Sequence, residues 1–299
     1  MARVTEWRAP LSAAARAQLP AEVAQRWIEL FRPAVRLVPQ GDGPRVGQLG
    51  GNPSLPADVA WPEWGEAGPL SFVAAVDCAA LPREGLDVAL PDRGSLLFFY
   101  FDGRFEIEDD PFVEPGDPSM PESARVVYVP ADVPVRERVA PEGLRAYPRL
   151  ELTAEVMATA PVEYHYLLDE VRLSDGRSLA RAAEDLGEAD MPGAESLSEV
   201  VDRADPDGSR HRIGGFGEPV QGPVEQEVAL LVLGDSAEDA RLCEEAARWV
   251  LLAQIDSQRF DAGDDEMMWG DAGSLYWLIR RDDLAAGRFE AARFTVQYG

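Results

Sequence analysis

Two stretches of this chain repeat the same order of features at the same spacing, and that repetition limits the folds open to it more than anything else in the sequence. Gly50-Gly51 precedes an apolar stretch ending in Val76-Asp77, and Gly94-Ser95-Leu96 opens the next one. Gly214-Gly215 likewise precedes a stretch ending in Ile255-Asp256, and Gly273-Ser274-Leu275 opens its successor. From Asp77 to Gly94 and from Asp256 to Gly273 the distance is 17 residues in both cases. Leu70, Phe72, Ala74 and Val76 align without gaps on Trp249, Leu251, Ala253 and Ile255. Apolar segments of this length, rich in residues that suit a pleated surface and bounded by glycine, read as strands. The repetition predicts an α+β fold: two related, mostly antiparallel β-sheet halves from an internal duplication, with flanking helices. The stretch between the double glycine and the aspartate is longer in the second half, and a helix over Ala237–Arg248 accounts for the surplus.

The rest of the chain fills in around this pair. Pro10–Leu19 is rich in helix formers, and Val23, Trp27, Leu30 and Phe31 share one face of a second helix that Pro33 closes. Strands are expected at Leu70–Asp77, Gly94–Asp102, Arg125–Val129, Arg149–Glu155, Val162–Leu168, Val250–Asp256, Gly273–Ile279 and Arg293–Gln297. Short helices are expected at Leu179–Leu186, Glu195–Val201 and Asp282–Ala286, and one more behind Ser236 as N-cap. Leu49–Pro56 is dense in Gly and Pro and reads as irregular chain, and the acidic, Pro-rich Asp102–Pro121 reads as surface loop. The division that follows is 1–36 for N-terminal helices packed on the core, 37–148 for a first β-rich half, 149–212 for a variable middle and 213–299 for a second β-rich half, all in one two-lobed unit.

Charge narrows the function classes. The formal net charge is −26, and all 28 basic residues are arginine. A basic footprint for nucleic acid would have to overcome that field, so direct nucleic-acid binding is not expected, whereas a basic protein partner is. A chain without lysine has neither Schiff-base nor P-loop lysine chemistry. No apolar run approaches the ~20 residues of a membrane helix, and no apolar core follows the charged start, so the expectation is a cytoplasmic protein with no membrane partner. Cys78 and Cys243 then read as free, buried thiols.

Candidate chemistry is sparse. The Trp269-Gly-Asp-Ala-Gly273 loop reads either as a ligand or partner site, with Asp271 as acceptor and Trp269 as platform, or as a glycine-shaped turn. Asp77 and Asp256, related by the repeat, read either as a carboxylate pair or as strand-end caps. His211, just before Ile213-Gly-Gly215, reads as a general base or as a strand-end histidine. The run Asp261, Asp264, Asp265, Glu266 reads as a solvated loop, since it lacks the order of a calcium-binding loop. Two histidines are few for zinc. Gly214-Gly-Phe-Gly217 lacks the third glycine of the dinucleotide fingerprint, with Val220 in its place, and no cofactor is expected.

Gly50-Gly-Asn-Pro-Ser-Leu-Pro56, then Trp61-Pro62, then Pro69-Leu-Ser-Phe72 resembles the N-terminal signature of the YwqG-like family, DUF1963. Leu251-Leu-Ala-Gln-Ile-Asp256, Trp269-Gly-Asp-Ala-Gly273 and Leu275-Tyr-Trp-Leu-Ile279 resemble its C-terminal signature. Together they bracket 37–297, with Trp61 joining the candidate binding residues. At the first half's repeat stands Ala75-Val-Asp77 rather than Gln-Ile-Asp. The resemblance implies a bacterial, intracellular α+β protein of unknown function, and an association with toxin systems that suggests an immunity- or antitoxin-like role. The expectation is a non-catalytic protein-binding module. The alternative is a small-ligand- or metal-dependent enzyme with its site near Trp269–Gly273.

Overall fold

The computed structural model describes residues 3–83, 86–103, 122–188, 196–206, 209–234, 239–260 and 267–298. The chain opens with a 3-10 turn over Arg3–Arg8 and two helices, α1 (Ala9–Gln18) and α2 (Ala21–Glu29). Strands β1 (Arg32–Pro39), β2 (Gly47–Leu49), β3 (Ser54–Pro56), β4 (Glu63–Trp64), β5 (Gly68–Pro69), β6 (Ser71–Asp77), β7 (Ser95–Tyr100), β8 (Ala124–Val129), β9 (Val135–Glu137) and β10 (Leu150–Thr159) follow. Then come helices α3 (Tyr166–Glu170), α4 (Leu179–Glu188) and α5 (Leu197–Ala204), strand β11 (Arg212–Ile213), helices α6 (Val224–Leu233) and α7 (Asp239–Ala246), strands β12 (Trp249–Asp256) and β13 (Ser274–Arg280), helix α8 (Arg281–Ala285) and strand β14 (Arg293–Gln297).

Ten of these strands form one antiparallel sheet in the order β14-β13-β12-β11-β1-β10-β2-β6-β7-β8. The sheet curls until its two ends face each other, which makes it nearly a barrel. Phe98 on β7 packs on Trp277 of β13 with ring centroids 5.1 Å apart, and Tyr100 packs on Phe294 of β14 at 4.9 Å. Tyr128 on β8 meets Phe289, beside β14, at 5.1 Å. One apolar core fills the interior from both halves, from Val35 and Leu37 through Phe98 and Leu96 to Trp277 and Ile279.

The two ends of the sheet match each other in register. Asp77 pairs with Ser95 as Asp256 pairs with Ser274, and Gln48 pairs with Ala75 as Arg212 pairs with Gln254. β6 carries a register slip between Phe72 and Ala74, and β12 carries one between Leu251 and Ala253. Such a slip bends and twists the strand, which helps a sheet to close. Gly50, Gly51, Gly214 and Gly215 all have positive φ, between 54° and 73°. An added Cβ at Gly50 would run into the Pro148 carbonyl, and one at Gly215 into Thr159 Oγ1. Both double glycines therefore turn the chain where the backbone or side chains of β10 and its approach lie close.

Strands β1 and β10 sit at the centre, paired from Arg32↔Thr159 to Pro39↔Leu152. Each also borders the sequence-distant half: β1 pairs with β11, and β10 with β2. Outside the sheet, α1, α2, α4 and α5 form a second apolar cluster around Trp27, whose Nε1 donates to the Pro161 carbonyl at 2.8 Å. Helix α6 covers Trp249, Leu251, Tyr276 and Leu278 through Val224 and Val228.

Two expectations are corrected here. Val162–Leu168 is not a strand: His165 caps α3, its Nδ1 accepting from Leu167 N at 3.2 Å, so the local side chain-to-backbone bond wins over the apolar run. The helix expected to carry Leu30 and Phe31 up to Pro33 ends at Glu29, and Arg32–Pro39, for which the sequence predicts no element, is the central strand β1. The Asp102–Pro121 loop beyond residue 103, the Ser236 cap and the Asp261–Glu266 acidic run lie outside the described residues.

Candidate functional site

A cavity lies where the N-terminal helices meet the middle of the sheet. It measures about 830 Å³. Its walls are apolar, with Trp7, Leu11, Val156, Met157, Val201 and Ala204 among them. Alternation in β1 points Val35 and Leu37 into the barrel and leaves Arg36 on the other face, toward the cleft. Arg36 is largely buried there. One of its terminal nitrogens pairs with the Asp205 carboxylate and the other lies 3.7 Å from Glu155 Oε2. Burial pulls the pKa of this guanidinium down, and Glu155 acts against that. Its Nε and the Nε1 of Trp7 are buried N–H donors with no hydrogen-bond partner among the described residues. Glu6, exposed at the rim, adds a third carboxylate. Arg83, also at the rim, spends its donors on the carbonyls of Cys78, Leu90 and Pro91 and on Asp92. The cleft therefore offers apolar walls and a carboxylate surplus, which suits a guest with a hydrocarbon body and a positive end.

The residues singled out in sequence lie elsewhere, and two of them meet. His211 is fully enclosed; its Nδ1 accepts from Asp256 N at 3.0 Å, which leaves the proton on Nε2, 3.2 Å from Gln258 Oε1. Burial lowers its pKa, against the pull of Asp256. Asp256 Oδ1 accepts from Gln254 Nε2 at 2.9 Å and Ser274 Oγ at 2.7 Å. Asp77, at the matching place, caps a turn by accepting from Ala79 N at 2.9 Å and is exposed. Trp61 is buried against Phe99, its Nε1 donating to the Leu70 carbonyl at 2.8 Å. Trp269 is buried between Tyr100 and Tyr147, while Asp271 is exposed on the turn beside it. Among the described residues no three or more His, Cys, Asp or Glu side chains are placed to hold a metal ion. None of their helices is long and apolar enough to cross a membrane.

Asp77 lines a second, polar hollow of about 360 Å³ over β2, β6 and β7, with Arg45, Gln48 and Ser95. Sequence reasoning missed the cleft residues altogether. The only trace of Arg36 is its place as the one charged residue between apolar neighbours in Ala-Val-Arg-Leu-Val, and the cleft itself comes from long-range packing of α1 and α5 on β10.

A family model described as Domain of unknown function (DUF1963) matches residues 47–297. The chain belongs to that family. The DUF1963 match begins at the first residue of β2 and ends at the last of β14, so it takes in the hollow apart from Arg45 and Val46. It leaves α1, α2 and β1 outside, and with them Glu6, Trp7, Leu11 and Arg36 of the cleft. No curated protein matches the chain.

Proposed function

We propose that this DUF1963 protein is a non-catalytic binding module for a basic protein partner, and that the 830 Å³ cleft receives an apolar, positively charged segment of that partner. The observation that carries the reading is the cleft's chemistry: apolar walls ringed by Glu6, Glu155 and Asp205, with both terminal nitrogens of Arg36 held by Glu155 and Asp205 and Arg83 turned to backbone carbonyls and Asp92, on a chain of net charge −26. A field of that sign speeds encounter with cations and repels polyanions. An immunity- or antitoxin-like role in a bacterial cytoplasm is the form of binding that fits best. Descent from an internal duplication belongs to the same reading, and the shared registers, register slips and positive-φ glycine pairs support it.

The test is titration with peptides that alternate arginine and leucine, at low and high salt, against the parent protein and a Glu6→Gln/Glu155→Gln variant. Binding should weaken with salt, as exposed charges are screened beyond ~10 Å at 0.1 M, and should weaken again in the variant. A peptide with serine for arginine that binds equally well overturns the reading.

A further inference from the structure

Two arginines stand side by side on neighbouring strands and are held in opposite ways. Arg36 on β1 pairs with Arg212 on β11, so both side chains leave the sheet on the same face. Both are mostly buried, with 14% and 4% of the side chain exposed. Every side-chain nitrogen of Arg212 has an acceptor. Its Nε donates to the Arg210 carbonyl at 3.1 Å, one terminal nitrogen donates to the Phe216 carbonyl at 3.5 Å, and the other holds the Glu218 carboxylate at 2.6 Å. A guanidinium whose whole donor fork is engaged is fixed in place.

Arg36 has no such set. Its Nε is a buried donor with no partner among the described residues. One terminal nitrogen meets the Asp205 carboxylate, and the other stands 3.7 Å from Glu155, beyond the range of a good hydrogen bond. Burial does most to lower the pKa of this guanidinium; Glu155 resists, and the neighbouring Arg212 lowers it further. A cation that is desolvated, crowded by a like charge and short of an acceptor is held at a cost in free energy. Its two carboxylates stay open on the solvent side. The Asp205 side chain is 37% exposed and that of Glu155 65%, and both line the cleft.

We propose that Arg36 is a built-in competitor for the cleft: its guanidinium occupies the seat between Asp205 and Glu155 that the cationic side chain of a bound partner segment takes, and it gives up that seat when the segment binds. The inference rests on the reading of the cleft as a site for a basic partner and adds what regulates it. The guest's cation reaches the same two carboxylates from their open side, with its hydrocarbon stem along Val201 and Ala204. On leaving, Arg36 regains water at its Nε and moves away from Arg212, which its own bonds keep in place. Arg36 therefore sets the threshold for binding. Its contact with Asp205, which ties the end of α5 to β1, opens as the cleft fills.

The test titrates acetyl-Leu-Arg-Leu-Arg-Leu-amide and acetyl-Leu-Ser-Leu-Ser-Leu-amide into the full chain and into its Arg36→Met variant, read by calorimetry. Methionine keeps most of the stem and removes the charge, and the thermal unfolding midpoint checks the fold. The arginine peptide should bind Arg36→Met at least about tenfold more tightly than the parent, and the serine peptide should bind both proteins alike. Adding Asp205→Asn to Arg36→Met should cancel most of the gain. Binding of the arginine peptide to Arg36→Met alone is the same result in stronger form. In the parent, saturation with the arginine peptide should shift the Arg36 Nε–H resonance and speed its exchange with water, leaving that of Arg212 in place. An Arg36 resonance unmoved at saturation overturns the proposal whether or not the variant folds. An equal gain for the serine peptide would trace the effect to added apolar surface and overturn it as well. An arginine peptide that binds the parent and gains nothing from Arg36→Met overturns this proposal alone, whereas one that binds neither protein refutes the reading of the cleft and this inference with it.

Discussion

Closure of the sheet makes the two halves one cooperative unit, and the Phe98–Trp277 contact is where that is most directly measured. The two rings come from strands near opposite ends of the sheet, are 0% and 1% exposed, and lie 5.1 Å apart at an interplanar angle of 55°. Truncating Phe98 to alanine removes a buried ring from a core that cannot fully collapse, at a cost of about 3–5 kcal/mol. The more informative experiment is a double-mutant cycle with Phe98→Leu and Trp277→Leu, because leucine keeps part of the volume. An aromatic pair of this geometry contributes roughly 0.5–1.5 kcal/mol beyond its buried area. The cycle should therefore show a coupling of about 1 kcal/mol, read from urea unfolding followed by far-ultraviolet circular dichroism, since Trp277 is itself a fluorophore. All four proteins should unfold in one transition with the same dependence on urea. A coupling within about 0.3 kcal/mol of zero, or two separate transitions in the parent, would refute the closed sheet and the shared core.

Two other outcomes follow from the geometry. Gly215→Ala places a Cβ against Thr159 Oγ1 and Ala34 at a φ of +71°, so it should cost more than the roughly 1–2 kcal/mol of a left-handed non-glycine residue, whereas Gly287→Ala, with φ of +70° and open space around it, should cost only that strain; equal losses in chemical denaturation would rule out the close approach. His165 is buried beside Glu225, with Arg32 nearby, and burial first and Arg32 second bring its pKa down to about 3; the unfolded chain takes up a proton near pH 6.5 that the folded chain refuses, so stability falls by up to about 1.4 kcal/mol per pH unit as pH drops from 6.5 toward 3. Burial raises Glu225 and Glu227 and has the opposite sign, so His165→Gln should leave a shallower acid limb in pH-dependent urea midpoints, and an unchanged limb would mean that His165 is solvated.

The repeat made half of this architecture legible before any coordinates. Strands that combine β-branched or aromatic residues with a glycine at one end, such as Gly94–Asp102 and Gly273–Ile279, read correctly because local preference and burial agree there. Strand β1 escaped notice because prolines bracket it, and only pairing on both sides reveals that its remaining N–H groups find partners. Helix α6 escaped for the opposite reason: Val-Glu-Gln-Glu-Val-Ala-Leu-Leu-Val-Leu is apolar on nearly every side, so no stripe of period 3.6 marks it. The glycines and aspartates of the repeat stood out because turn chemistry is local. The cleft did not, since Arg36, Glu155 and Asp205 come together only when α5 packs beside the central pair of strands.

The exchange of central strands has a consequence for how the protein is made. A ribosome that has released the first half has released β1, yet both neighbours of β1 belong to chain still to come, β10 and then β11 at residue 212. β2 has β6 beside it early but waits for β10 on its other side. The first-made part of the sheet cannot finish during its own synthesis, and the sheet is completed only when β10 and β11 have been laid on either side of β1. The same interlock means that a single cut in the connection near residue 140 would not release two independent pieces, because each piece would still hold a strand that the other needs.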